Sequence, residues 1–124
     1  MITNFNKETE PLTAYERDTL LPIFIRCLKK KVGRENAVTN AQICSSLKKF
    51  GLKITPVLVR KIINHIRRNG SVKRLVASSD GYYVSNDKKE LEAYIYSLSG
   101  RESAIREVRR CLEQQINEPI ELFQ

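Results

Sequence analysis

Apolar residues along this chain recur with a helical period in four stretches and with a period of two in one. From Thr13 onward, Tyr15, Leu20, Leu21, Ile23, Phe24, Cys27 and Leu28 repeat at helical steps, which predicts an amphipathic helix. Thr13-Ala14-Tyr15-Glu16 opens it as a capping box, in which the hydroxyl and the carboxylate each satisfy an orphan N–H. Pro22 lies inside the pattern and predicts a kink or division near residue 20, because proline lacks an N–H and crowds the preceding turn. Lys29-Lys30-Lys31 suit the negative end of the helix dipole, and Gly33 is the expected stop. Thr39 and Gln42 form a second capping box. The helix they open should turn Ile43, Cys44, Leu47 and Phe50 inward and end at Gly51. Thr55-Pro56 supplies an N-cap with proline at the first helical position, where its missing donor does no harm. This third helix should run to Asn69, with Gly70 as its stop.

After Gly70 the period becomes two. Val72 to Ala77 and Tyr82 to Ser85 flank Ser78-Ser79-Asp80-Gly81, a hairpin pattern around Asp-Gly. Tyr82 and Tyr83 should face opposite sides of their strand, one of them in the core. Ala37-Val38 is too short for an independent strand but can pair with the hairpin. Asp87 and Glu90 make a third capping box and start a C-terminal helix. Leu91, Leu98, Ile105 and Leu112 follow at seven-residue spacing, with Tyr94 or Ile95, Val108 and Ile116 filling part of a second seam. Ser99-Gly100 should weaken this helix. The expected organisation is a loose arm over 1–12, a domain over 13–99, a C-terminal helix over 100–117 and a tail over 118–124. The fold class is mainly α with a small β-hairpin, α+β.

The order helix, short extended piece, helix, turn, helix, hairpin, helix resembles the winged helix-turn-helix. Residues 39–50 match the support helix, 55–69 the recognition helix and 72–85 the wing. With its extra C-terminal helix, the chain is similar to small winged-helix proteins of bacteria, phages and other mobile elements. That resemblance implies binding to duplex DNA, with helix 55–69 in the major groove and the wing on the flanking backbone. Some winged helices instead bind protein or RNA.

Charge distribution supports the same expectation. The 124 residues carry a net +8 with a pI near 9.6. Residues 1–35 hold seven basic and five acidic residues, 36–79 hold nine basic and none acidic, and 80–124 hold six basic and nine acidic. The segment charges are therefore +2, +9 and −3, so the middle third carries more than the whole excess. A stretch of 44 residues without a compensating acid suits a polyanion. Within helix 55–69, Val59, Ile62, Ile63 and Ile66 form the core stripe, spanning about 100° at 100° per residue. The opposite arc holds Val57, Arg60, Lys61, Asn64 and Arg68, with Arg67 at one edge and His65 at the other. Arginine and lysine donate to phosphates and guanine edges, and asparagine pairs with adenine. Lys48, Lys49 and Lys53 flank the turn before the helix, and Lys73 and Arg74 belong to the expected wing. These residues complete the expected DNA-binding set.

No catalytic constellation is legible. His65 is the only histidine, and the five glycines are dispersed at element ends and turns. No His/Cys/carboxylate set has metal-ligand spacing, so no enzyme activity, cofactor or metal is expected. Three widely spaced cysteines, Cys27, Cys44 and Cys111, fit a reducing cytoplasm better than a disulfide framework. Cys27 and Cys44 sit among apolar helix residues and are expected in the core. The start has no signal-peptide pattern, and no apolar run is long enough to span a membrane. Beyond Gly100, Ile105, Val108, Leu112 and Ile116 form one apolar stripe, expected to join two copies into a homodimer. The expected role is a non-enzymatic transcriptional regulator, or a replication or maintenance factor of a phage or mobile element. The alternatives are a protein-interaction module of a larger assembly, which the acid-free segment disfavours, and an RNA binder. Against the RNA binder, residues 51–79 contain no Phe, Tyr or Trp for base stacking.

Overall fold

The computed structural model of the protein describes residues 8–120. Most of the expected arm, residues 1–7, and the end of the expected tail, 121–124, lie outside the described residues. The chain is mainly helical with one antiparallel hairpin. A helical stretch begins at residue 14, passes through a π-turn over Glu16–Leu20 and continues as α1 (Leu21–Leu28). A short 3-10 turn, Arg34–Asn36, follows. Then come α2 (Asn40–Lys49), α3 (Pro56–Asn69), β1 (Leu75–Ser78), β2 (Gly81–Val84) and α4 (Lys88–Gln115).

The caps lie where local chemistry puts them. Thr13 N–H donates to Glu16 Oε1 at 2.9 Å, and Glu16 N–H to Thr13 Oγ1 at 3.2 Å. Thr39 and Gln42 repeat this exchange at 2.9 and 3.1 Å. Thr55 Oγ1 accepts from Leu58 N–H at 3.2 Å, and Pro56 is the first residue of α3. Pro22 does not end its helix. The turn ahead of it widens instead, with Leu21 N–H donating to Glu16 O, and a π-turn of this kind makes room for the ring.

The core joins Leu20, Phe24 and Leu28 to Cys44 and Leu47, to Ile54, and to Val59, Ile62, Ile63 and Ile66, with Val72, Leu75 and Val84 closing it from the hairpin side. Strand register pairs Leu75 with Val84 and Val76 with Tyr83. Val38 does pair with the hairpin, as an antiparallel bridge to Tyr82, and Val32 makes a parallel bridge to Val84. A Cβ on Gly81 would meet the Val38 carbonyl oxygen at 2.5 Å, and its φ of +120° also disfavours any side chain there. Tyr83 is fully buried and Tyr82 half-buried.

Phe50 and Cys27, both expected inside, are outside. Phe50 is 83% exposed: α2 ends at Lys49, and Phe50 (φ −90°, ψ 9°) no longer follows the helical step that would have turned it inward. Cys27 is exposed at the rim of the α1 stripe, while Cys44 is buried.

The chain forms two compact units, the first running through Lys88 and the second starting at Lys89. The buried core of the first unit lies within residues 20–84. The second unit is α4, a continuous helix that passes through Gly100 without a break. Its 28 residues extend about 42 Å at 1.5 Å each. None of them is buried. Among the described residues no helix is long and apolar enough to cross a membrane.

Candidate nucleic-acid interface

The buried stripe of Val59, Ile62, Ile63 and Ile66, each at most 1% exposed, fixes the roll of α3 about its axis. The arc opposite that stripe is where the expected contact residues lie. Gly70 ends the helix in the left-handed region (φ +68°), its N–H donating to Ile66 O at 2.8 Å. Asn40 Nδ2 donates to Pro56 O at 3.0 Å, tying the first turn of α2 to that of α3. Tyr15 OH donates to Lys53 O at 2.9 Å, tying the first helical stretch to the α2–α3 turn.

The expected residues separate into three groups. At the N-terminal end of α3, Lys48, Lys49 and Lys53 are all exposed, and the exposed Phe50 stands among them. At the C-terminal end, Arg68, Lys73 and Arg74 are exposed and Arg67 is half-buried. In sequence the two groups lie at the two ends of α3, whose 14 residues extend about 21 Å.

The middle of the arc differs from expectation. Lys61 is 7% exposed, and its ammonium donates to Glu16 Oε1 at 2.6 Å. It therefore cannot face a groove. Its outward position on the wheel of α3 is taken by the first helical stretch, whose Glu16 is itself buried. Burial opposes ionisation of Glu16. The Lys61 hydrogen bond and charge, with bonds from the Thr13 backbone and hydroxyl, outweigh burial and hold this carboxyl below its ordinary value. Val57 and Asn64 are half-buried. Arg60 keeps 41% of its side chain exposed but pairs through Nε with Glu8, which is only 17% exposed.

Lys73 and Arg74 also lie elsewhere than expected. The paired hairpin is 75–84, shorter than the expected wing, and these two residues form the turn before β1. Arg74 adopts φ +61°, the one positive-φ residue other than glycine among those described. Its carbonyl accepts from Ser85 N–H at 3.0 Å, and its Nε donates to Asn86 Oδ1 at 3.1 Å. The hairpin tip carries Asp80, which pairs with Arg34 Nη1 at 3.0 Å. The cations thus sit at the open base of the hairpin and an acid at its tip.

Lys29 belongs with them, and no local sequence signal marks it. Lys29, Lys73, Arg74 and Asn86 line one recess of about 340 Å³ with Val32 and Val84, and no carboxylate among the described residues lines it. The parallel bridge from Val32 to Val84 brings the end of α1 to the hairpin base. Among the described residues, no three His, Cys, Asp or Glu side chains gather in a metal-binding group. His65 is half-buried, with Nε2 2.9 Å from Asn69 Nδ2.

Comparison of the chain with protein-family models, with curated proteins and with solved structures finds no match.

Proposed function

We propose that residues 13–85 form a winged helix-turn-helix domain that binds duplex DNA, with exposed cations at both ends of α3 gripping the phosphate backbone. The observation that carries this reading is the acid-free segment 36–79. Its exposed Lys48, Lys49, Lys53, Arg68, Lys73 and Arg74 lie at the two ends of one helix, with no carboxylate in the segment to neutralise them. The order of α1, the Val38 bridge, α2, α3 and the β1–β2 hairpin supports the fold reading. Lys61 is withdrawn from the contact set, and Lys29 and Phe50 are added to it. Val57, Arg60, Asn64 and Arg67 border the contact, and Asn64 is the candidate for reading a base edge.

The protein acts without catalysis in the cytoplasm, in transcriptional control or in the replication or maintenance of a phage or mobile element. It pairs with a second copy through Ile105, Val108, Leu112 and Ile116, which are 60–77% exposed. Soluble chains rarely leave so continuous an apolar stripe to water.

One observation favours a protein-interaction role instead. An apolar recess of about 210 Å³ lies between α1 and α2, lined by Ile23, Cys27, Val38, Ile43 and Leu47 among others. Binding of the full chain to random duplex, single-stranded DNA and double-stranded RNA at about 50 mM salt separates these readings. Duplex DNA should bind best. No binding to any of the three supports the interaction module, and preference for double-stranded RNA supports the RNA reading.

A further inference from the structure

We infer that the second copy lies antiparallel on α4, centred between Ile105 and Val108; this rests on the homodimer reading above. In heptad terms the inner positions are Leu98, Ile105 and Leu112 in one row and Arg101, Val108 and Gln115 in the other. The two edges of the stripe differ in chemistry. One carries Ile95, Glu102 and Arg109, with Ile116 just past the helix end, and the other Ser97, Ala104 and Cys111.

An antiparallel pair brings like edges together, whereas a parallel pair brings unlike edges together. Setting Ile105 against the second copy's Val108 fixes every other layer. Leu98 then meets Gln115, and Leu112 meets Arg101, whose long stem covers it while the guanidinium reaches water. On the first edge, Glu102 faces Arg109, and Ile95 lies toward the end of the second copy's α4, which Ile116 follows. Ile95 is 62% exposed in the single chain, and the second helix covers it. On the second edge, Ala104 faces Cys111, small enough for close approach of the helices. Symmetry makes each of these contacts twice.

The parallel arrangement matches Leu98, Ile105 and Leu112 each with itself, but it is poorer at every charged position. It sets Arg101 directly against Arg101 in the seam. It also faces Ala104 with Arg109 and Ser97 with Glu102, so neither charge gains an opposite partner. Within one chain, Glu102 pairs with Arg106 and Arg109 with Glu113, both on the exposed surface. Those pairs leave the side chains beside the stripe, within reach of a second helix.

Two measurements on the full chain test the orientation. The first uses a spin label on Glu92→Cys, with the exposed Cys27 and Cys111 replaced by Ser. Glu92 lies about 22 Å from the centre of the pair at 1.5 Å per residue, so antiparallel copies set the labels about 45 Å apart. Parallel copies set them under about 20 Å apart, since packed helix axes are 8–10 Å apart. The second uses charge exchange. Glu102→Arg should weaken dimerisation about tenfold, because it opposes two arginines twice. Adding Arg109→Glu should restore it to within about threefold, although the exchange breaks both intrachain pairs. A dimer with the short distance, or without restoration, overturns the antiparallel arrangement and leaves the dimer reading standing. A monomer at high micromolar concentration overturns both.

Discussion

Lys61 Nζ donates to Glu16 Oε1 at 2.6 Å, with both side chains nearly closed to solvent at 8% and 11% exposure. This pair joins the first helical stretch to the outer side of α3, and it converts an expected contact residue into a structural one. Removing one member of a buried pair strands the other. Lys61→Met should therefore destabilise the domain by about 3–5 kcal/mol. Joining it to Glu16→Gln should recover most of that loss. Urea unfolding of the single and double variants checks both outcomes, and equal destabilisation by the two would count against a coupled pair.

The same pair gives a pH dependence with a definite sign. The Glu16 carboxyl is held below its ordinary value in the folded protein. Its contribution to stability is therefore complete above the unfolded-state value near 4.5. It disappears as pH falls through the lower folded-state value. Stability should fall less steeply below about pH 4.5 in Glu16→Gln than in the wild type, as read by urea unfolding across an acid series.

Phe50 is exposed among Lys48, Lys49 and Lys53, so it packs nothing that folding needs. Phe50→Ser should leave the unfolding free energy within about 0.5 kcal/mol of wild type. If the ring touches nucleic acid, the same change should weaken duplex binding about fivefold or more. Reduced stability with unchanged binding would return Phe50 to a packing role.

Glu8 holds Arg60 by an ion pair, and its carboxylate adds negative charge beside the proposed contact. Glu8→Gln should raise duplex affinity at low salt by a few-fold, with little change in stability, since one partly exposed pair contributes about 0–1 kcal/mol. Anisotropy titrations of the two proteins side by side test this. Lower affinity in the variant would mean that the pair presents Arg60 to DNA rather than holding it away.

The legible parts of this fold are those set by neighbours in sequence. The capping pairs of Thr13 with Glu16 and of Thr39 with Gln42 are three residues apart, and the stripe of Val59, Ile62, Ile63 and Ile66 needs only the helical period. What escapes is set by distant parts of the chain. A wheel drawn for α3 alone puts Lys61 outside, and only the packing of residues 45 positions earlier closes it. Lys29 meets Lys73 and Arg74 only because residues 32 and 84 pair. The paired hairpin spans 75–84, inside the expected wing, because Lys73 and the left-handed Arg74 form a turn, with one bond from Ser85 N–H to Arg74 O continuing the register. Phe50 shows the same limit on a smaller scale: one residue past a helix end, the period that predicts burial no longer applies.

The salt dependence of duplex binding by the full chain tests most directly whether cations at both ends of α3 hold the DNA backbone. Two triple variants separate the ends: Lys48, Lys49 and Lys53 to Ala, and Arg68, Lys73 and Arg74 to Ala. All six side chains are exposed, so both proteins should unfold as the wild type does. Each phosphate that no longer meets a cation should flatten the log–log salt slope by about 0.9. Each triple variant should therefore show a slope shallower by up to about 2.7 and bind more weakly at low salt. Wild-type slope and affinity in both variants would mean that these cations do not hold the DNA.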